Sequence, residues 1–166
     1  MPTLIELKDG VCRPVDDPFT HVAEDEGLPP GDVIVSLTRF QAEGDRLLSE
    51  GRLVGVRLKA DEEVEALAYD LPRLALVALE FPKYRDGRAY TNARLVRERY
   101  GFGGQVRAVG DVLREQAGFM VRVGFDAFEP ADDASANEWQ AATRRYRHVY
   151  QRSADARAPA FQERVR

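Results

Sequence analysis

Five short apolar runs, each followed by a stretch with helical character, restrict what this chain can fold into. They are residues 33–37 (VIVSL), 53–58 (LVGVRL), 74–81 (LALVALEF), 106–109 and 125–128. The runs are nearly continuous rather than alternating, which is how strands read when both of their faces are covered. Between and after them lie five helical segments: 38–50 before Gly51, a short acidic one from Asp61, 89–100 before Gly101, 111–123 before Gly124, and 134–150. Asp or Thr starts and glycine stops fit the chemistry of helix ends. The pattern predicts an α/β domain over residues 33–150, with about five parallel strands alternating with helices through right-handed crossovers. It is compatible with an open doubly wound sheet or a partial β/α barrel, since eight units do not fit.

Before this block, residues 4–7 and 11–15 flank Lys8-Asp9-Gly10, a turn signal that predicts a β-hairpin. Asp16-Asp17-Pro18 and an acidic, Pro- and Gly-rich stretch at 24–32 follow, so residues 1–32 are expected to form a hairpin arm and loop. Residues 151–166 lack periodicity and are expected to form a mobile tail bearing Arg152, Arg157, Arg164 and Arg166.

The net charge of −4, from 24 basic and 28 acidic residues among 166, gives no general attraction to nucleic acid or to an anionic membrane. Cys12 is the single cysteine, and His21 and His148 lie far apart, so neither a disulfide nor the usual iron–sulfur, haem or zinc ligand sets are expected. Cys12 reads as an inert thiol. A flavin or nicotinamide stays open, and the cofactor is unassigned. The N-terminus has no basic segment leading into an apolar run. The longest such run, 74–79, is too short for a bilayer, so a cytoplasmic location is expected. Oligomeric state is left open.

Parallel α/β sheets bind ligands beyond the carboxyl ends of their strands. The richest such end here is residues 80–90, EFPKYRDGRAY. Glu80 leaves an apolar strand, where desolvation favours its protonated form and so proton transfer. Tyr90 could hydrogen-bond a substrate oxygen. Asp111, directly after the fourth run, is a third candidate catalytic group, with helix N-cap as its simpler role. Lys83, Arg85, Arg88 and Arg94 are candidate anion-binding groups, because guanidinium and ammonium donors suit oxyanions. The competing reading is a polar loop held by its own ion pairs. Gly101-Phe102-Gly103-Gly104 ends a helix and precedes a strand, so it is not a dinucleotide loop.

The run from Leu74 to Phe128 resembles an uncharacterised bacterial family, the domain of unknown function 934. Residues 32–37 (DVIVSL), 54–58 (VGVRL) and Asp17-Pro18-Phe19 also look like it. Its recognisable core here is Glu80-Phe81-Pro82-Lys83, Asp86-Gly87-Arg88-Ala89-Tyr90, Arg94, Arg107-Ala108-Val109-Gly110-Asp111 and Gly124-Phe125-Asp126. The family is encoded beside enzymes of sulfate assimilation. The resemblance therefore implies an accessory protein or oxidoreductase of assimilatory sulfite reduction, binding a small oxyanion, sulfite reductase or another sulfate-assimilation enzyme. It carries no established catalytic residues. Two other readings stand beside it: a non-redox acid/base enzyme on a small carboxylate metabolite, and a non-catalytic docking module for the reductase.

Overall fold

The computed structural model describes residues 3–164. The five apolar runs form strands β4 (Asp32–Ser36), β5 (Val54–Leu58), β6 (Leu76–Phe81), β7 (Gln105–Gly110) and β8 (Ala127–Phe128). Three more precede them: β1 (Leu4–Lys8), β2 (Val11–Val15) and β3 (Phe19–His21). All eight join one sheet in the order β2-β1-β8-β7-β6-β5-β4-β3. The strands from β3 to β8 pair in parallel, whereas β1 is antiparallel to both β2 and β8. The sheet is therefore mixed and eight-stranded, not the five-stranded parallel sheet that the apolar runs predict. The hairpin turns through Asp9 and Gly10, both at positive φ (52° and 74°), and β1 then lays its free edge on β8. β3 is three residues long, too short to show a period.

The strand order excludes a doubly wound sheet. From β3 to β8 it follows the sequence without a reversal, so right-handed crossovers all fall on one side and no topological switch point exists. The same order requires the sheet to roll up. β2 and β3 are its opposite edges, seven spacings apart, which is about 34 Å in a flat sheet. Yet only residues 16–18 join them, and four Cα steps reach at most about 14 Å. Residues 11–21 thus form one extended stretch whose first half pairs with β1 and whose second half pairs with β4.

Side chains lock this closure from within. Arg107, on β7, donates Nη1 and Nη2 to the two carboxylate oxygens of Asp17 at 2.6 and 3.1 Å. His21 on β3 meets Glu129, just beyond β8, at 2.7 Å. In a flat sheet β3 and β8 would lie about 24 Å apart.

The two faces of the rolled sheet have different cores. Outward residues such as Val35, Val56, Leu79, Phe81 and Val106 form the main core beneath α1 (Leu37–Ser49), α2 (Arg88–Arg94), α3 (Ala117–Val123) and α4 (Ala136–Thr143). Trp139 of α4 stacks on Phe128 at 4.7 Å. The inward face holds a smaller cluster of Ile34, Leu76, Ala78 and Val109, with Phe19 packed against it.

Four of the predicted helical segments differ in the structure, the acidic one expected from Asp61 being two 3-10 turns, Val64–Leu67 and Leu71–Arg73. The segment expected from Asp111 becomes a 3-10 turn, Arg114–Gln116, before α3 begins. The last helix spans Ala136–Thr143: the capping box of Ser135 and Glu138 fixes its start, and the chain leaves helical geometry at Arg144, short of the expected 150. The segment expected at 89–100 is α2 followed by a π-helical turn, Leu95–Arg99. The described part of the C-terminal segment carries a short helix, α5 (Ala160–Glu163), and bonds back to the body where the Ala154 N–H donates to the Arg122 carbonyl at 3.0 Å. Arg166 lies outside the described residues.

Arg107→Ala leaves two carboxylates at the seam without their cation, and in urea denaturation we expect a loss of about 3–5 kcal/mol. Arg94→Ala, which removes an exposed pair, is expected to cost no more than about 1 kcal/mol. Equal losses would show that the seam carries no special energetic weight.

Candidate functional site

Strand register decides which side chains point into the mouth of the rolled sheet. Ser36, Arg57, Ala78, Arg107 and Ala127 are successive partners across β4 to β8 and face inward. One step nearer the carboxyl ends, Glu80 pairs with Val109 on the same face. The mouth therefore presents two charged groups. On the β5–β6 side, Arg57 and Glu80 lie 3.7 Å apart and are 40% and 31% exposed. On the β7–β8–β3 side stand Arg107, Asp17, Glu129 and His21.

The second group is built around a guanidinium with no solvent exposure. Besides Asp17, Arg107 donates to Glu129 at 2.9 Å and, through Nε, to the Gln105 side chain at 2.9 Å. The Phe19 ring lies 5.8 Å from the guanidinium carbon. Burial pushes the Glu129 carboxyl up, but His21 and Arg107 pull it down further, so it titrates below the ordinary range. With its Nε2 engaged by Glu129, His21 keeps Nδ1 for a ligand, the arrangement of a carboxylate-oriented acid/base. Beside it opens a groove of about 840 Å³ lined by Leu4, Pro14, Val15, Asp16, Asp17, Phe19, Thr20, His21 and Glu129. Arg107, by contrast, has its donors committed to protein oxygens.

The predicted site residues divide. Glu80, Lys83, Arg85 and Asp111 gather at the ends of β6 and β7. There the Asp111 carboxylate accepts the Tyr84 N–H at 2.8 Å, tying the two strand ends together instead of capping a helix. The Arg85 Nε donates to the Tyr84 hydroxyl at 2.8 Å. Gly110 permits this junction: its φ is 93°, and a Cβ there would stand 2.4 Å from the Phe81 carbonyl oxygen. Arg88 is gripped by Asp86 at 2.6 Å, and that contact holds the Asp86 carboxyl down to about 2. Tyr90 turns into the core, edge-on to Phe81 at 5.3 Å, and burial pushes its hydroxyl up to about 12. Arg94 pairs with Glu98 at 2.8 Å on the exposed surface of its helix. Cys12 is buried on β2, and burial pushes its thiol up.

Sequence reasoning left out Asp17, His21, Arg57, Arg107 and Glu129 as a constellation. A signal for two of them was present. Arg57 in VGVRL and Arg107 in QVRAVG are cationic residues inside otherwise apolar strands. A charge in such a place requires a partner or an opening to water. Among the described residues, no group of three or more His, Cys, Asp or Glu is placed to hold a metal ion. No helix among them is long and apolar enough to cross a membrane.

Residues 55–161 match the family described as "Bacterial protein of unknown function (DUF934)". The chain belongs to this family. The match takes in Arg57, Glu80, Lys83, Arg107, Asp111 and Glu129, while Asp17 and His21 precede it. No curated protein matches the chain.

A carboxyl whose folded pKa lies below its unfolded value stabilises the fold above the unfolded pKa, and that contribution is lost as pH falls through the folded one. Glu129 should follow this rule. Wild type is expected to melt above Glu129→Gln at neutral pH, with the difference closing as pH falls below 4.5. Melting temperatures by circular dichroism across that range provide the check, and a gap independent of pH would contradict it.

Proposed function

We propose that this protein serves assimilatory sulfite reduction and takes a small oxyanion at the carboxyl mouth of its rolled sheet. The observation that carries this reading is a set of cations without carboxylate partners at two adjacent strand tips. Lys59 follows β5, and Lys83 and Arg85 follow β6. All three are exposed, and among the described residues none pairs with a carboxylate. Behind them Arg57 is held by Glu80 at only 3.7 Å and half open to water, so its donors can be shared with a ligand. Oxyanions are recognised by such convergent ammonium and guanidinium donors. The pathway comes from the family resemblance, and sulfite and sulfate have the chemistry that these side chains bind. The protein acts there as an accessory or oxidoreductase component, and sulfite reductase or a neighbouring sulfate-assimilation enzyme is the partner this reading implies.

A second reading, an acid/base enzyme, is favoured by one observation: the His21–Glu129 pair at 2.7 Å on the wall of the 840 Å³ groove. Here His21 exchanges a proton with the substrate through Nδ1 while Glu129 stabilises the imidazolium.

Two measurements test the first reading. A strain lacking the gene is expected to grow on sulfide but not on sulfite or sulfate as sole sulfur source. In calorimetry, the Lys59→Ala/Lys83→Ala protein is expected to bind sulfite about tenfold more weakly than wild type, a loss typical of removed charge-assisted contacts. Normal growth on sulfite, together with unaltered binding, would overturn it.

A further inference from the structure

The end of the molecule formed by α3 and residues 143–157 has a composition unlike the rest. Residues 143–157 carry five arginines against one aspartate. The other 151 residues hold 19 basic and 27 acidic side chains, a net −8. Asp155 of this segment is already taken by Arg122 of α3 at 3.2 Å. Arg144 donates to the Gly10 carbonyl, Arg145 lies over the Tyr146 ring, and Arg157 donates to the carbonyls of Tyr146 and Arg147. Among the described residues, none of Arg144, Arg145, Arg147, Arg152 and Arg157 pairs with a carboxylate.

At this end of the molecule is a groove of about 570 Å³, bordered by Phe119, Tyr146, Val149, Tyr150, Arg157 and His148, the last held by Glu163 at 2.7 Å. Phe119 is 55% exposed, Tyr146 49% and Tyr150 85%. Gly118 also lines this groove, and a Cβ there would stand 3.4 Å from the Ala142 carbonyl oxygen of α4.

We propose that this face docks a protein partner whose contact surface is acidic around an apolar side chain. Tyrosine and arginine are among the residues enriched where binding energy concentrates in protein interfaces. Unpaired guanidinium groups call for carboxylates, and the groove between Phe119 and Tyr146 accepts the apolar residue. A protein fits better than a single-stranded nucleic acid. Phe119 and Tyr146 lean on each other at 42°, with centroids 5.8 Å apart, so each covers part of the other's ring where a base would stack. The net negative charge of the remaining chain also opposes a long polyanion.

The test selects random displayed peptides on the intact protein, with an oligothymidylate of similar length measured in parallel. Enriched peptides are expected to combine an excess of Asp and Glu with a central Leu, Phe or Tyr, and to bind less tightly as salt rises. Arg147→Glu and, separately, Tyr150→Ala should each weaken a selected peptide by about tenfold. Tyr150 is so exposed that its replacement leaves the fold intact, which circular dichroism would verify. Selected peptides without acidic bias, binding unaltered in both variants, or tighter binding of the oligothymidylate would overturn the proposal.

Discussion

A guanidinium shut away from water sets the terms for the rest of this molecule. Arg107 sits in the middle of an apolar strand, and its charge is tolerable only because Asp17, Glu129 and Gln105 converge on it. One of these, Asp17, lies between the two edge strands, which a flat sheet would hold far from β7. Satisfying one buried cation therefore requires the sheet to bend until its edges meet. Removing a buried charge's partner is far more costly than losing an exposed pair, so the seam resists opening. The hydrophobic outer core stabilises the layers but does not by itself select a rolled sheet over an open one.

The closure has a consequence for chemistry. By bringing β3 to β8, it places an imidazole and a carboxylate in contact at the mouth and leaves a groove beside them. The pairing of β5 with β6 already sets Arg57 and Glu80 together on the inner face. Parallel strands deliver their carboxyl ends to one side, which is why both groups share a mouth although their residues range from position 17 to position 129. The arginine- and tyrosine-bearing segment 143–157 belongs instead to the outer layer, where its Asp155 pairs with Arg122 of α3.

How much of this was readable in advance differs from element to element. The five central strands were legible because each is a compact apolar run flanked by turn signals. The hairpin was legible from Asp9-Gly10. β3 was not, because Phe-Thr-His has no period to detect and its pairing with β4 is purely tertiary. Glu80, Lys83, Arg85 and Asp111 were legible as a cluster because they are close in sequence or sit at neighbouring strand ends. Tyr90 looked equally suitable, yet its position on the first turn of α2 directs it toward Phe81 and Phe125. Asp111 looked like a helix cap, and the tight junction at Gly110 made it a brace for Tyr84 instead.

Sequence by itself determined the inventory: an alternation of strands and helices, a hairpin ahead of them, and cations concentrated after the third apolar run. It also determined that two strands each carry an arginine needing company, because the cost of an unpaired buried charge is local chemistry. Only the tertiary structure decided what that company would be. Asp17 and His21 reach Arg107 and Glu129 across some ninety to one hundred and eight residues, a separation over which no spacing rule operates. The rolling of the sheet followed from the three-residue link between its two edges, a constraint that exists only once the strand order is known.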